Sequence, residues 1–168
     1  MPVGEYSLRL QNGTLLTPSF HVYLYKQLFF TIGITGGFAP PTPNAIHTIT
    51  QPLNQTELLI RSAIRTDYSP GLQDAVPKSI SSEDKHTTSL VDELYGILKV
   101  IPTESPPGSE DIYGLDTSIA WFSQDLEWIN GGPQGCSGGI SAVQPTQEDK
   151  AKFKRAVEIV HELIQKDK

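Results

Sequence analysis

Side chains able to do acid, base, nucleophilic or metal chemistry are few in this chain and widely spaced. Its four histidines are His21, His47, His86 and His161, and no two of them form an i, i+4 pair or a His-x-His set. Metal sites built from histidine need such spacing on one element, so no metal and no cofactor are expected. His47 falls next to Ile46 in an expected strand and should face solvent; His161 reads as a partly exposed helix residue. The single cysteine, Cys136, lies within Gly135-Cys136-Ser137-Gly138-Gly139. A thiolate nucleophile needs a base beside it, and nothing in the spacing supplies one, so a glycine-rich turn carrying an incidental thiol is expected. Asp125 and Glu127 would share a face of a strand. Two close carboxylates could raise one pKa enough for acid catalysis, although exposed charge on a solvated face explains them equally. Neither a GxGxxG pattern opening a helix nor a Walker-type GK[ST] occurs. No catalytic residue is assigned.

The chain that must position these groups has 168 residues, of which 38% are apolar, and a formal net charge of −6. That length suffices for one domain with its own core, and residues 1–168 read as a single domain. One cysteine cannot close an internal disulfide, and a lone thiol suits a reducing, cytoplasmic setting. Acidic balance argues against nucleic-acid binding, which requires clustered Lys and Arg. Between Glu104 and Glu127 there are six carboxylates and no Lys or Arg, which predicts a locally acidic, solvated face. The start, MPVGEYSLRLQ, alternates and carries Glu5 and Arg9, unlike a secretory signal. The most apolar stretch, residues 22–34, is interrupted by Lys26 and Gln27 and falls short of a membrane span.

Periodicity predicts the elements. Tyr6, Leu8 and Leu10 alternate with polar residues, and Asn12-Gly13 favours a type I′ turn, so residues 5–17 read as an N-terminal hairpin. Residues 20–35, FHVYLYKQLFFTIGIT, are aromatic and β-branched and predict one long strand or two with a bend. Ile46–Thr50 is a further strand. Asn54 and Glu57 have the chemistry of a capping box, with Leu53 and Leu58 as a staple, which predicts a helix over 54–66 with Arg61 and Arg65 four apart on it. Residues 69–89, rich in Ser, Thr, Asp and Lys, predict a mobile surface insertion with at most a turn of helix. A helix starting near Ser89 is expected to end at Gly96 and to be followed by a strand to Ile101. Residues 115–130 fit a helical stripe through Ile119, Phe122, Leu126 and Ile129, or a strand with Ala120, Phe122, Leu126 and Trp128 on one face; the strand is preferred. Thr146 caps a long C-terminal helix whose stripe is Phe153, Ala156, Val157, Val160, Leu163 and Ile164. Together these predict an α+β domain: an antiparallel sheet of about five or six strands with two or three helices on one face.

The segment Ile32-Gly33-Ile34-Thr35-Gly36-Gly37-Phe38-Ala39, followed by the strand at Ile46–Thr50 and a helix at Asn54–Ile64, resembles the opening of the emfourin family, small inhibitors of thermolysin-like metallopeptidases. The resemblance implies non-catalytic protein binding, a thermolysin-like metallopeptidase as partner, and Gly36, Gly37 and Phe38 as the contact. Pro40 and Pro41, the 5–17 hairpin and the long 67–115 segment depart from that pattern. Physically, a Gly-Gly turn with Phe38 at its tip can project an aromatic anchor; the competing reading has Phe38 plugging the core. The alternative function is a small enzyme or ligand-binding protein with a pocket between sheet and helices, lined by Tyr23, Tyr25, Trp121 and Trp128 and using Asp125 or Glu127.

Overall fold

A computed structural model of the chain describes residues 25–34, 43–53, 55–66, 71–131 and 139–167. In chain order the strands and helices are β1 (Tyr25–Ile32), β2 (Ala45–Pro52), β3 (Glu57–Arg65), β4 (Leu72–Asp74), β5 (Lys78–Ser81), α1 (Lys85–Leu98), β6 (Thr117–Phe122), β7 (Glu127–Ile129) and α2 (Gln147–Gln165). The strands form one antiparallel sheet in the order β4-β3-β2-β1-β6-β7, with β5 also paired to β3. This is the α+β class expected. The hairpin of residues 5–17, the part of the aromatic strand before Tyr25, and Gly36, Gly37 and Phe38 lie outside the described residues.

Strand register sorts the side chains onto two faces. Leu28 lies opposite Ile49 and Trp121, and Phe30 opposite His47 and Ile119; all six are buried. Both helices cover this face. Tyr95 of α1 packs on Trp121 at 6.1 Å between ring centroids, and His161 of α2 meets Phe30 edge-on at 5.1 Å. Phe153 of α2 stacks on Tyr113 at 4.1 Å and also contacts Trp128. The two helices are tied to each other by Arg155, which donates to both carboxylate oxygens of Glu93 at 2.8 and 2.9 Å.

Three expectations about secondary structure are corrected. Within the block predicted as a helix over 54–66, Glu57–Arg65 form strand β3. Leu58 and Ile60 are buried while Glu57, Leu59 and Arg61, alternating with them, are exposed, so period two prevails over the capping chemistry. Ile60 pairs with Ile49, and Leu58 with Ile80. A helix would leave β2 without this neighbour, so tertiary pairing overrides the local signal.

Gly96 does not end α1, which continues to Leu98. Leu90, Leu94 and Leu98 recur every four residues and are all buried, whereas Gly96 is exposed with open space where a Cβ would be. A helix glycine costs about 1 kcal/mol relative to alanine, and burying a leucine contributes roughly 1.5–3 kcal/mol, so Leu98 decides. Ile97 and Ile101, read as strand residues, pack from the last turn and the segment after it.

Of residues 69–89, expected as a mobile surface insertion with at most a turn of helix, 71–84 contribute β4 and β5 and 85–89 begin α1. Both strands are short and lie along β3, where Ile80 packs beside Leu58. Asp84 then caps α1 by accepting from the Thr87 amide at 3.0 Å.

Over 115–130 the preferred strand is present as the hairpin β6–β7, with a shifted face. The Ser123 amide donates to the Leu126 carbonyl at 2.9 Å, closing a turn that pairs Trp121 with Trp128. Ile119 and Trp121 therefore point to the core, and Ala120 and Phe122 to the opposite face. The C-terminal helix matches its expected span. Thr146 and Asp149 form a reciprocal capping box, and its buried stripe includes Ile159 as well as Phe153, Ala156, Val160 and Leu163.

Candidate functional site

On the helix-covered face, the two tryptophans proposed as pocket lining are core residues, 4% and 6% exposed. Trp128 donates its indole N–H to the Ile101 carbonyl at 3.0 Å, and Trp121 donates to Ser123 Oγ at 3.1 Å. The void between sheet and helices, lined by Leu28, Ile49, Leu94, Trp121 and Leu163 among others, measures about 20 Å³; that is room for about one water molecule. Tyr23 and the side chain of Tyr25 lie outside the described residues.

The acid-base candidates do not converge. Asp125 sits in the β6–β7 turn, where its carboxylate accepts from the Tyr95 hydroxyl at 2.6 Å and from Ser123 Oγ at 2.8 Å. These two hydrogen bonds, with Tyr95 foremost, hold Asp125 below the usual carboxylate range, the opposite of what a general acid needs. Glu127 opens β7, exposed and opposite Phe122. Glu104 departs from the expected solvated acidic face: it is 4% exposed, and its Oε1 accepts from the amides of Gly108 and Gly131, each at 2.8 Å. Among the described residues, its Oε2 and Ser109 Oγ are buried without a partner.

His47 is the second correction among the candidate residues. It faces the helices, 5% exposed, because Ile46 takes the other side of β2. Its Nδ1 lies 2.8 Å from Ser62 Oγ on the neighbouring strand. Burial lowers its pKa, and the nearby His161 lowers it further. His161 is half-buried, as expected. His86 is exposed on α1, 4.0 Å from Glu162. Among the described residues no group of three His, Cys, Asp or Glu is placed to hold a metal, and Cys136 and His21 lie outside them.

The opposite face of the sheet carries a different chemistry. Across its strands, Ile129, Ala120, Phe29, Thr48 and Arg61 form one row, and Ser118, Thr31, Ile46 and Ala63 form the next. Phe29 meets Phe122 edge-on at 6.1 Å, an arrangement aromatic pairs favour. Leu59 is 38% exposed and Ile129 40% exposed. Toward the β4 edge, Ile46, Thr48, Arg61, Ala63, Asp74, Ala75 and Pro77 border an open depression of about 460 Å³. Neither helix packs on this face. The alternation of Phe29 with Leu28 and Phe30 signals this face, but the capping chemistry of Asn54 and Glu57, which predicts a helix over 54–66, hides Leu59, Arg61 and Ala63 as its continuation.

Comparison with protein-family models finds no match, and no curated protein matches the chain in sequence. Among the described helices none is long and apolar enough to cross a membrane.

Proposed function

We propose that the chain is a non-catalytic protein-binding domain. The carrying observation is the contrast between the two sides of the sheet. The helix side is packed around Trp121, Trp128 and Phe153 with a 20 Å³ void, while the other side presents the Phe29–Phe122 pair beside exposed Ile129 and Leu59. Aromatic residues with apolar neighbours on a surface are the usual material of interface hot spots.

A thermolysin-like metallopeptidase is the partner that the emfourin resemblance implies, with Gly36, Gly37 and Phe38 at the contact. Of the blocks behind that resemblance, the strand at Ile46–Thr50 is a strand, whereas Asn54–Ile64 is strand rather than helix over its described part from Glu57. A cytoplasmic setting goes with this reading, supported by the lone cysteine. The test is titration of the protein into thermolysin with a chromogenic peptide substrate. Inhibition at micromolar protein, weakened by Phe38→Ala with an unchanged unfolding midpoint, supports the proposal. Full peptidase activity at that concentration removes the metallopeptidase as partner. A large fall in midpoint for Phe38→Ala removes Phe38 as the contact and makes it a core residue.

A further inference from the structure

The β3–β4–β5 end of the face turned away from the helices carries features that complement each other. Between β4 and β5 the chain runs Asp74-Ala75-Val76-Pro77, and the Val76 side chain is 92% exposed. This tip is held firmly: β4 and β5 flank it, both paired to β3, and the Ala75 amide donates to the Ser62 carbonyl at 2.8 Å. Pro77 further restricts the backbone. Beside the tip lies the 460 Å³ depression, lined by Ile46, Thr48, Ala63, Arg61 and Asp74 among others. A projecting apolar side chain and a hollow of mixed apolar and polar lining thus adjoin on one patch.

The charges on the same patch are also paired in kind but not in fact. Asp74 lies opposite Ala63 on β4, and Arg61 is two residues from Ala63 along β3, so both project from the same face. Both are exposed, yet among the described residues neither forms an ion pair or hydrogen bond. A guanidinium offers five donors suited to a carboxylate. A single apolar residue on a surface would need no explanation, but a knob, a hollow, a free cation and a free anion side by side constitute a self-complementary set.

We infer that this patch is the contact of a two-fold symmetric homodimer. A two-fold contact brings the same patch of each copy together, so that residue i meets j and j meets i. Val76 of each copy enters the depression of the other, and Arg61 of each pairs with Asp74 of the other. The contact uses the β3–β4–β5 end and leaves the Phe29–Phe122 pair at the other end of the face for a different partner.

Sedimentation equilibrium of the full chain tests this over about 1–100 µM, the range of a weak specific dimer. Dimerisation is expected, with Val76→Asp raising the dissociation constant at least about 10-fold and leaving the unfolding midpoint in place, since Val76 makes no core contact. Arg61→Glu and Asp74→Arg should each weaken the dimer by placing like charges opposite one another. The double variant should bring it back to within a few-fold of the wild type, because the reversed pair is again opposite in sign. A protein that stays monomeric throughout this range overturns the inference. So does a dimer indifferent to Val76→Asp, or one in which the double charge reversal gives no recovery. None of these readouts depends on a peptidase, so their failure leaves the protein-binding proposal to its own test.

Discussion

Removing the buried carboxyl group of Glu104 should loosen two segments at once. Its Oε1 accepts from Gly108, inside the loop that follows α1, and from Gly131, two residues beyond the end of β7. The same loop also holds the approach to α2: the Ser105 amide donates to Ser141 Oγ at 3.1 Å, Ala142 to the Ser105 carbonyl at 2.8 Å, and Ser141 to Glu110 at 2.8 Å. Glu104→Ala leaves two amides without an acceptor. Each such loss costs about 1–3 kcal/mol when buried, and since Gly108 and Gly131 are only half-buried, the lower half of that range applies, about 3 kcal/mol together. The substitution also removes Oε2, which is buried without a partner and so carries a desolvation cost of its own that offsets about 1 kcal/mol. The net loss is therefore about 2 kcal/mol. For a domain of this size that is a fall in Tm of roughly 4–8 °C. Glu104→Gln keeps an acceptor for both amides and should cost under about 1 kcal/mol. Urea denaturation monitored by tryptophan fluorescence gives both values, and hydrogen exchange at Gly108 and Gly131 should accelerate in the alanine variant alone. Equal stability of Glu104→Ala and wild type, within about 0.5 kcal/mol, would refute the reasoning and show that water replaces the carboxyl at no cost.

Two further outcomes follow from individual positions. The pKa of His47 in the fold lies below its ordinary 6.5, through burial and then through His161 on α2, so the unfolded chain binds a proton more readily. Stability from this group is full above pH 6.5 and is lost as pH falls below it; chemical denaturation between neutral and mildly acidic pH should show this slope in the wild type and a shallower one in His47→Gln. Gly96→Ala should stabilise α1 by about 0.5–1 kcal/mol, because the position is helical and a Cβ there meets nothing within 4 Å; an unchanged or lower denaturation midpoint would show that α1 is not helical through residue 96.

How far the fold can be read from the chain differs between elements. Helix α2 is legible throughout, since its cap, its acidic first turn and its apolar stripe all lie within one stretch and agree. Strand β2 and the hairpin β6–β7 are legible as strands, yet the face of β6 is not, because the turn at Ser123–Leu126 resets the register and only pairing of Trp121 with Trp128 shows it. Strand β3 is misread because Asn54 and Glu57 imitate a helix start, while the alternation of Leu58 and Ile60 spans too few residues to outweigh it. Gly96 misleads in the same way: its local penalty is visible in sequence, and the burial of Leu98 that exceeds it is not. Among the candidate functional residues, Asp125 and Glu127 can be found by their spacing. Their separation into a hydrogen-bonded turn and an exposed strand start depends on the fold.

Composition and periodicity alone determine that this is an α+β domain without internal disulfides, with an antiparallel sheet and a capped terminal helix, because those properties arise from short-range spacing and counting. Only tertiary structure decides what each face meets. Burying Glu104 and His47, leaving Arg61 and Asp74 without a partner among the described residues, and raising Val76 at the tip between β4 and β5 result from how the strands pair, how the loops after α1 and β7 meet, and both helices choosing one side of the sheet. The energies that fix those choices, leucine burial and strand pairing across long separations, exceed the local preferences of the residues involved.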